Sequence, residues 1–310
     1  MKITNILIAG PYKEEFQKQL PPTIHKSFRF VPVEDISEED LSWADAYVGF
    51  KPSPLFNFKS IKWVHTFNAG VNNYLELNGW EENQVLLTRT VCSFGQRISE
   101  YCLSYMLRDL QHQDYFEEKQ KVKKWAPKTP KMLKDQTVIV FGTGEIGQEV
   151  AKTFTQFGST VYGVSKSGKQ KAYFQNVTTH ELAHTILPKA DWVISTLPLT
   201  NETKSLFDSG MFSLFEGASF INVGRGATVD EQALIEALDS GVVRQAILDV
   251  LSTEPLPEGS ELWDRDDITI TPHISAVTQL DEAIACFIDT LEKIEKNQEL
   301  TNMVDITKGY

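Results

Sequence analysis

The hexapeptide Gly142-Thr143-Gly144-Glu145-Ile146-Gly147 restricts what this chain can fold into more than any other stretch of it. It follows the apolar run Thr137 to Phe141 and opens a helical pattern, Glu145 to Phe157, that Gly158 closes. Between a strand and a helix, GxGxxG has a physical reading: Gly142 permits the tight turn, Gly144 lets backbone N–H groups approach a diphosphate, and Gly147 lets helix and strand pack closely. The helix N-terminus adds partial positive charge where the diphosphate sits. A dinucleotide site built on Gly142, Gly144, Glu145, Ile146 and Gly147 is therefore predicted.

The motif sits inside a longer series. Apolar strand-sized segments at Thr137 to Phe141, Thr160 to Val164, Trp192 to Ser195, Ser219 to Val223, Ala246 to Asp249 and Ile268 to Thr271 read as a parallel sheet covered on both faces. An earlier series, Ile3 to Ala9, Phe28 to Val33, Ala46 to Gly49, Trp63 to Thr66 and Val85 to Thr88, repeats the β/α alternation. Ser93 to Trp125 reads as one long helix, or a helix with an arm, broken by Pro127 and Pro130. Lysines crowd between Lys119 and Lys131 and read as a solvated arm. The amphipathic stretch Thr278 to Asn297 predicts a last helix, with the chain's end returning to the first series.

At 310 residues and 41% hydrophobic content, two domains are expected. The fold class is α/β: two Rossmann-like doubly wound parallel-sheet domains, the cofactor domain inserted into the substrate domain. The expected boundaries are 1–98 with 280–310 for the substrate domain and 99–279 for the dinucleotide-binding domain. A formal net charge of -12 argues against nucleic acid or an anionic membrane as partner, so an anionic substrate needs local positive charge. Cys92, Cys102 and Cys286 are odd in number and far apart, which suits reduced thiols in the cytoplasm. No apolar run reaches the roughly 20 residues of a membrane-spanning helix. No metal set is expected, since the histidines and cysteines lack ligand spacing.

At the end of the strand after the glycine loop stands Val164-Ser165-Lys166-Ser167-Gly168-Lys169, with no carboxylate. A carboxylate there would bond a ribose 2′-hydroxyl and repel a 2′-phosphate, whereas Ser165, Lys166 and Ser167 suit the phosphate. NADP is favoured over NAD.

Three polar residues stand at or beyond the ends of later strands, where open α/β sheets place their ligands. They are Arg225 in Asn222-Val223-Gly224-Arg225-Gly226, Glu254 in Ser252-Thr253-Glu254-Pro255, and His273 in Thr271-Pro272-His273-Ile274-Ser275. With Asn68-Ala69-Gly70-Val71, the glycine loop, Leu197-Pro198-Leu199-Thr200 and the ending Asn302-Met303-Val304-Asp305 with Gly309-Tyr310, the chain resembles the D-isomer-specific 2-hydroxyacid dehydrogenase family over essentially its whole length.

The resemblance implies roles. Arg225 would hold the substrate carboxylate and polarise its 2-carbonyl, His273 would be the acid–base, and Glu254 would orient His273 and favour its imidazolium. Leu197, Pro198, Thr203, Val223, Gly224 and Asp249 would line the cofactor, Asp249 near the nicotinamide carboxamide, with a helix cap as its alternative. Backbone N–H groups of Ala69 and Gly70 would bind the substrate carboxylate from the other domain, placing the site in a cleft whose closure excludes water. A homodimer is implied, with Ser93 to Trp125 contributing. The expected chemistry is hydride transfer between a nicotinamide and a small 2-oxo or D-2-hydroxy acid: glyoxylate, hydroxypyruvate or a bulkier 2-oxo acid. A 3-phosphoglycerate dehydrogenase is the alternative within the fold, and a nicotinamide-sensing corepressor the alternative of another class.

Overall fold

A computed structural model of the chain describes residues 1–307, so the Gly309-Tyr310 pair lies outside the described residues. The chain divides into two compact units, Met1–Cys92 with Thr278–Tyr310, and Ser93–Val277. The first boundary falls earlier than residue 98 for a packing reason. The long helix Phe94–Leu110 leans on the helix Glu145–Gln156 from its first turn: a Cβ added to Gly95 would lie 2.9 Å from Glu149 Cβ. The whole helix thus belongs to the second unit.

The first unit is built on five parallel strands, β1 (Asn5–Ala9), β2 (Ser27–Val31), β3 (Ala46–Gly49), β4 (Trp63–Thr66) and β5 (Leu86–Arg89), in the order β2-β1-β3-β4-β5. That is one of the two common doubly wound orders. Alternate residues of each strand serve opposite faces. Leu7, Ala9, Tyr47 and Val64 meet Leu41, Tyr74 and Trp80 on one side. Ile6, Ile8, Val48 and Trp63 meet Phe16, Ile284, Phe287 and Leu291 on the other. The C-terminal helix Leu280–Glu295 therefore completes this unit's core, and the segment after it runs beside β5: Arg89 N donates to Asn302 O and Val304 N to Leu87 O.

On β4 His65 is fully buried among polar side chains. Its Nδ1 lies 2.8 Å from Thr88 Oγ1, which also accepts the Trp63 Nε1 proton at 2.8 Å and has Val64 O at 3.5 Å as a second acceptor for its own proton. Burial pushes the His65 pKa down to about 3. The folded state thus binds that proton less readily than the unfolded chain, and stability falls as pH drops below about 6.5. The decline expected from this one group is about 1.4 kcal/mol per pH unit down to about pH 3. Urea unfolding between pH 7 and pH 4 checks it: His65→Gln should show the shallower decline, and equal slopes would contradict the assignment.

The second unit carries seven parallel strands, β6 (Thr137–Phe141), β7 (Thr160–Val164), β8 (Asn176–Thr178), β9 (Trp192–Ser195), β10 (Ala218–Asn222), β11 (Val243–Leu248) and β12 (Ile268–Ile270), ordered β12-β11-β10-β9-β6-β7-β8. This is the dinucleotide-binding order with one further strand, and the strand order reverses between β6 and β9. In β6, Val138 and Val140 face Cys102, Met106, Val150 and Phe154, while Ile139 and Phe141 face Phe207, Phe212 and Phe220. The stretch from Ser93, expected as one long helix or a helix with an arm, is two helices, Phe94–Leu110 and Gln113–Lys121, parted at His112, whose φ of 55° is left-handed. Among the described residues no helix is long and apolar enough to cross a membrane.

Candidate active site

The glycine loop lies at the C-terminal end of β6, at the point where the strand order reverses. Gly142 sits at φ 95°, where a Cβ would lie 2.6 Å from Thr196 Oγ1. Thr196 closes the loop from below by donating to Phe141 O and Gly142 O. Gly147 has no room either, since its Cβ would fall 1.8 Å from Gly142 O. Gly144 differs: a Cβ there meets nothing within 4 Å, and the N–H groups of Gly144 and Ile146 have no acceptor among the described residues. Empty space in front of unpaired amides at the N-terminus of a twelve-residue helix fits a diphosphate.

The three glycines should therefore fail differently. Gly147→Ala forces backbone apart and should cost ~3 kcal/mol of stability. Gly144→Ala should cost no more than about 1 kcal/mol, as a cap substitution, while weakening dinucleotide binding by about tenfold or more. Thermal melts with cofactor titration separate the two, and a destabilised Gly144→Ala that binds normally would contradict this reading.

Beyond β7, the Ser165 hydroxyl is buried with no hydrogen-bond partner, the Ser167 hydroxyl accepts only from Lys169 N at 3.3 Å, and Lys166 pairs with Glu202 at 2.5 Å. Both members of that ion pair are well exposed, so it holds Lys166 weakly.

Histidine 273 follows β12 on a turn with φ 54°, a conformation side chains rarely adopt and one that its surroundings must enforce. Asp249, 1% exposed at the end of β11, is what enforces it. Its Oδ1 accepts from Thr271 Oγ1 at 2.6 Å and Ile274 N at 2.8 Å, its Oδ2 from Ser275 N at 2.9 Å, and its carbonyl from His273 N at 2.9 Å. Tyr101 on the long helix donates in turn to Thr271 Oγ1 at 2.6 Å, and burial pushes its phenol pKa up, so it stays protonated. Both Asp249 oxygens are thus engaged in the turn, a use that neither the cofactor nor the capping expectation contained. Above the turn, His273 Nδ1 meets Glu254 Oε2 at 2.8 Å, while Glu254 Oε1 accepts from Leu251 N at 3.0 Å. The imidazole is held through Nδ1, on a residue half of whose side chain is exposed.

Arg225 leaves β10 through Gly224, whose missing Cβ would lie 2.5 Å from Leu197 O, so the arginine loop and the Leu197-Pro198 loop touch backbone to backbone. Burial pushes the Arg225 guanidinium below its usual value while Glu254 pulls the other way. One Nη1 proton goes to Gly224 O at 2.7 Å. Thr203 ties its own loop: its hydroxyl donates to Pro198 O at 2.6 Å and accepts from Thr200 N at 2.8 Å. Val223 is buried against the Ile194 and Ile221 side of the sheet. On the first unit, Ala69 and Gly70 follow β4, half-buried, and neither N–H has an acceptor among the described residues.

Comparison with known proteins decides the family. A family model described as D-isomer specific 2-hydroxyacid dehydrogenase, NAD binding domain, matches residues 103–275. The chain belongs to the D-isomer-specific 2-hydroxyacid dehydrogenase family. Within it, the chain is 33% identical over 262 residues to a glyoxylate/hydroxypyruvate reductase A of Serratia proteamaculans, covering 83% of this chain and 84% of that one. A structure of the NADPH-dependent glyoxylate/hydroxypyruvate reductase of Sinorhizobium meliloti, in complex with NADP and sulfate, superposes with a TM-score of 0.87 at 27% identity, covering 99% of this chain and all of that one. A D-isomer specific 2-hydroxyacid dehydrogenase from Xanthobacter autotrophicus, in complex with NADPH and MES, gives 0.86 at 28%, with full coverage of both. The second unit is thus the family's NAD-binding domain. Among the described residues no group of three or more His, Cys, Asp or Glu side chains is disposed to hold a metal.

Proposed function

We propose that the protein is an NADP-preferring reductase of small 2-oxo acids, glyoxylate or hydroxypyruvate, and that Arg225, Glu254 and His273 carry the reaction. The observation that carries this is the 2.8 Å contact of His273 Nδ1 with Glu254 Oε2, on a turn strained to hold the ring there. A bound nicotinamide supplies the hydride, or takes it in the reverse direction. The amides of Gly144 and Ile146 hold the diphosphate, and Ser165, Lys166 and Ser167 receive the 2′-phosphate.

Arg225 pairs with the substrate carboxylate, which offsets the burial of its own charge, and aims a remaining N–H at the 2-carbonyl. Glu254 fixes the imidazole through Nδ1, so that His273 delivers a proton from Nε2 to the carbonyl oxygen and recovers it when the alcohol is oxidised. The NADPH-dependent neighbours and the missing carboxylate after β7 both favour NADP.

We further propose a cytoplasmic protein, on three cysteines that are odd in number and far apart in the sequence. It acts as a homodimer, in keeping with the exposure of Trp125, at 98%, and of Val122 and Met132 in the same stretch of chain.

Loss of 340 nm absorbance with NADPH and with NADH tests the reading, against glyoxylate, hydroxypyruvate, pyruvate, 2-oxoisocaproate, phenylpyruvate and phosphohydroxypyruvate. Turnover should favour NADPH and the smallest acids. Cofactor binding with no turnover on any of them would count for a sensor, and a clear preference for phosphohydroxypyruvate for the 3-phosphoglycerate enzyme.

A further inference from the structure

The loop that carries Glu254 is a poor candidate for rigidity. Ser252, Thr253 and Glu254 are all exposed, and loops with few buried contacts open at low free energy. Yet the acid–base pair needs Glu254 held to within a fraction of an ångström. Two features fasten the loop to its neighbour. Gly226, next to Arg225, packs so closely under Leu251 that a Cβ would lie 1.8 Å from the Leu251 carbonyl carbon. One residue further on, Ser252 N and Ser252 Oγ both donate to the same Glu231 oxygen, at 2.8 and 2.7 Å.

Glu231 is itself rigidly placed. It opens the helix Glu231–Asp239, whose cap Asp230 accepts from Ala233 N at 3.1 Å. Between it and Arg225 runs a tight turn in which Thr228 Oγ1 donates to Arg225 O at 2.6 Å and Val229 N to Gly226 O at 2.9 Å. Asp230 N then reaches Phe207 O at 3.1 Å. A carboxylate accepting two hydrogen bonds from one serine on another loop is more than a helix's first-turn acid, a role that asks only for charge.

We propose that Glu231 is a positioning residue: by clasping Ser252 it transmits the placement of the Arg225 loop to Glu254, and through Glu254 to His273. The clasp rests on the functional reading above, and it is distinct from the residues that reading uses. Arg225 and the Glu254–His273 pair are otherwise on separate loops after separate strands, and the clasp fixes their spacing.

The test compares Glu231→Ala with Glu231→Gln in the full-length protein, using NADPH and the best 2-oxo acid. Glutamine keeps the acceptor oxygen and loses the charge, whereas alanine loses both. Glu231→Ala should lower kcat/KM for the acid by about 5- to 20-fold, the size of one or two charge-assisted hydrogen bonds, with NADPH affinity unchanged. Its pH profile of kcat/KM should also shift, because the Glu254–His273 contact loosens. Glu231→Gln should recover most of the rate and the wild-type profile. Adding Ser252→Ala to Glu231→Ala should cause little further loss, since the change at 231 already removes the acceptor of both Ser252 bonds.

If alanine and glutamine variants lose stability equally and keep wild-type kcat/KM and pH profile, Glu231 serves the helix alone and the proposal is overturned. Additive losses in the double variant would overturn it as well. His273→Asn is run alongside: retained activity in that variant would instead remove the functional reading on which the clasp depends.

Discussion

Replacing His273 with asparagine is expected to lower kcat for 2-oxo acid reduction by about 100- to 10,000-fold, the range that a positioned acid–base group contributes. Asparagine is chosen because the position has φ 54°, which Asn tolerates better than most residues. The turn itself should survive, since His273 N–H to Asp249 O and the Ile274 and Ser275 N–H bonds to the Asp249 carboxylate are main-chain donors that the substitution leaves in place. Cofactor affinity, read by quenching of protein fluorescence, should stay within about twofold, as the glycine loop lies on β6 and is untouched. A kcat loss below tenfold would mean that the proton comes from another group.

Arg225 carries the second large effect. Its guanidinium is partly withdrawn from water, and burial already works against its charge, so a substrate carboxylate meets a cation with little solvent left to lose. Arg225→Gln should cut kcat/KM by about 30- to 5,000-fold, the 2–5 kcal/mol of truncating one partner in a desolvated charge pair. Arg225→Lys should recover little, because an ammonium keeps the charge and loses the planar fork that serves carboxylate and carbonyl together. The loss should appear in both KM and kcat if one N–H polarises the carbonyl, and in KM alone if the arginine only binds. An Arg225→Lys enzyme of wild-type efficiency would exclude the bidentate role.

Much of this arrangement was legible because it is local. Continuous apolar runs at Thr137–Phe141, Thr160–Val164 and Trp192–Ser195 are strands of just those bounds, as burial on both faces leaves no other use for them. The glycine spacing likewise specified a turn, an open cradle and a close packing, and each glycine serves one of these. What escaped was long-range. Asp249 was placed correctly at a strand end, but no periodicity reveals that its carboxylate turns toward Thr271, Ile274 and Ser275. Thr196, Tyr101 and Glu231 gave no motif at all. A polar residue just after a buried strand, as Thr196 is, was the one available signal.

The short strand Asn176–Thr178 was missed because three residues carry no alternation, and Phe94–Leu110 ends where Leu110 O accepts the returning Lys131 N rather than at a proline. These are consequences of pairing across the sheet and of chain return, which a single sequence does not spell out.

Hydride transfer between a nicotinamide and C2 of a small 2-oxo acid is best tested by following the hydride itself. NADPH carrying deuterium at both nicotinamide C4 positions is incubated with hydroxypyruvate or glyoxylate, and the product is analysed by mass spectrometry and NMR. One deuterium is expected on C2 of glycerate or glycolate, and D-glycerate in the first case, with label transfer all but abolished in His273→Asn. Unlabelled product, or a protein that binds NADPH and leaves both acids untouched, would contradict it.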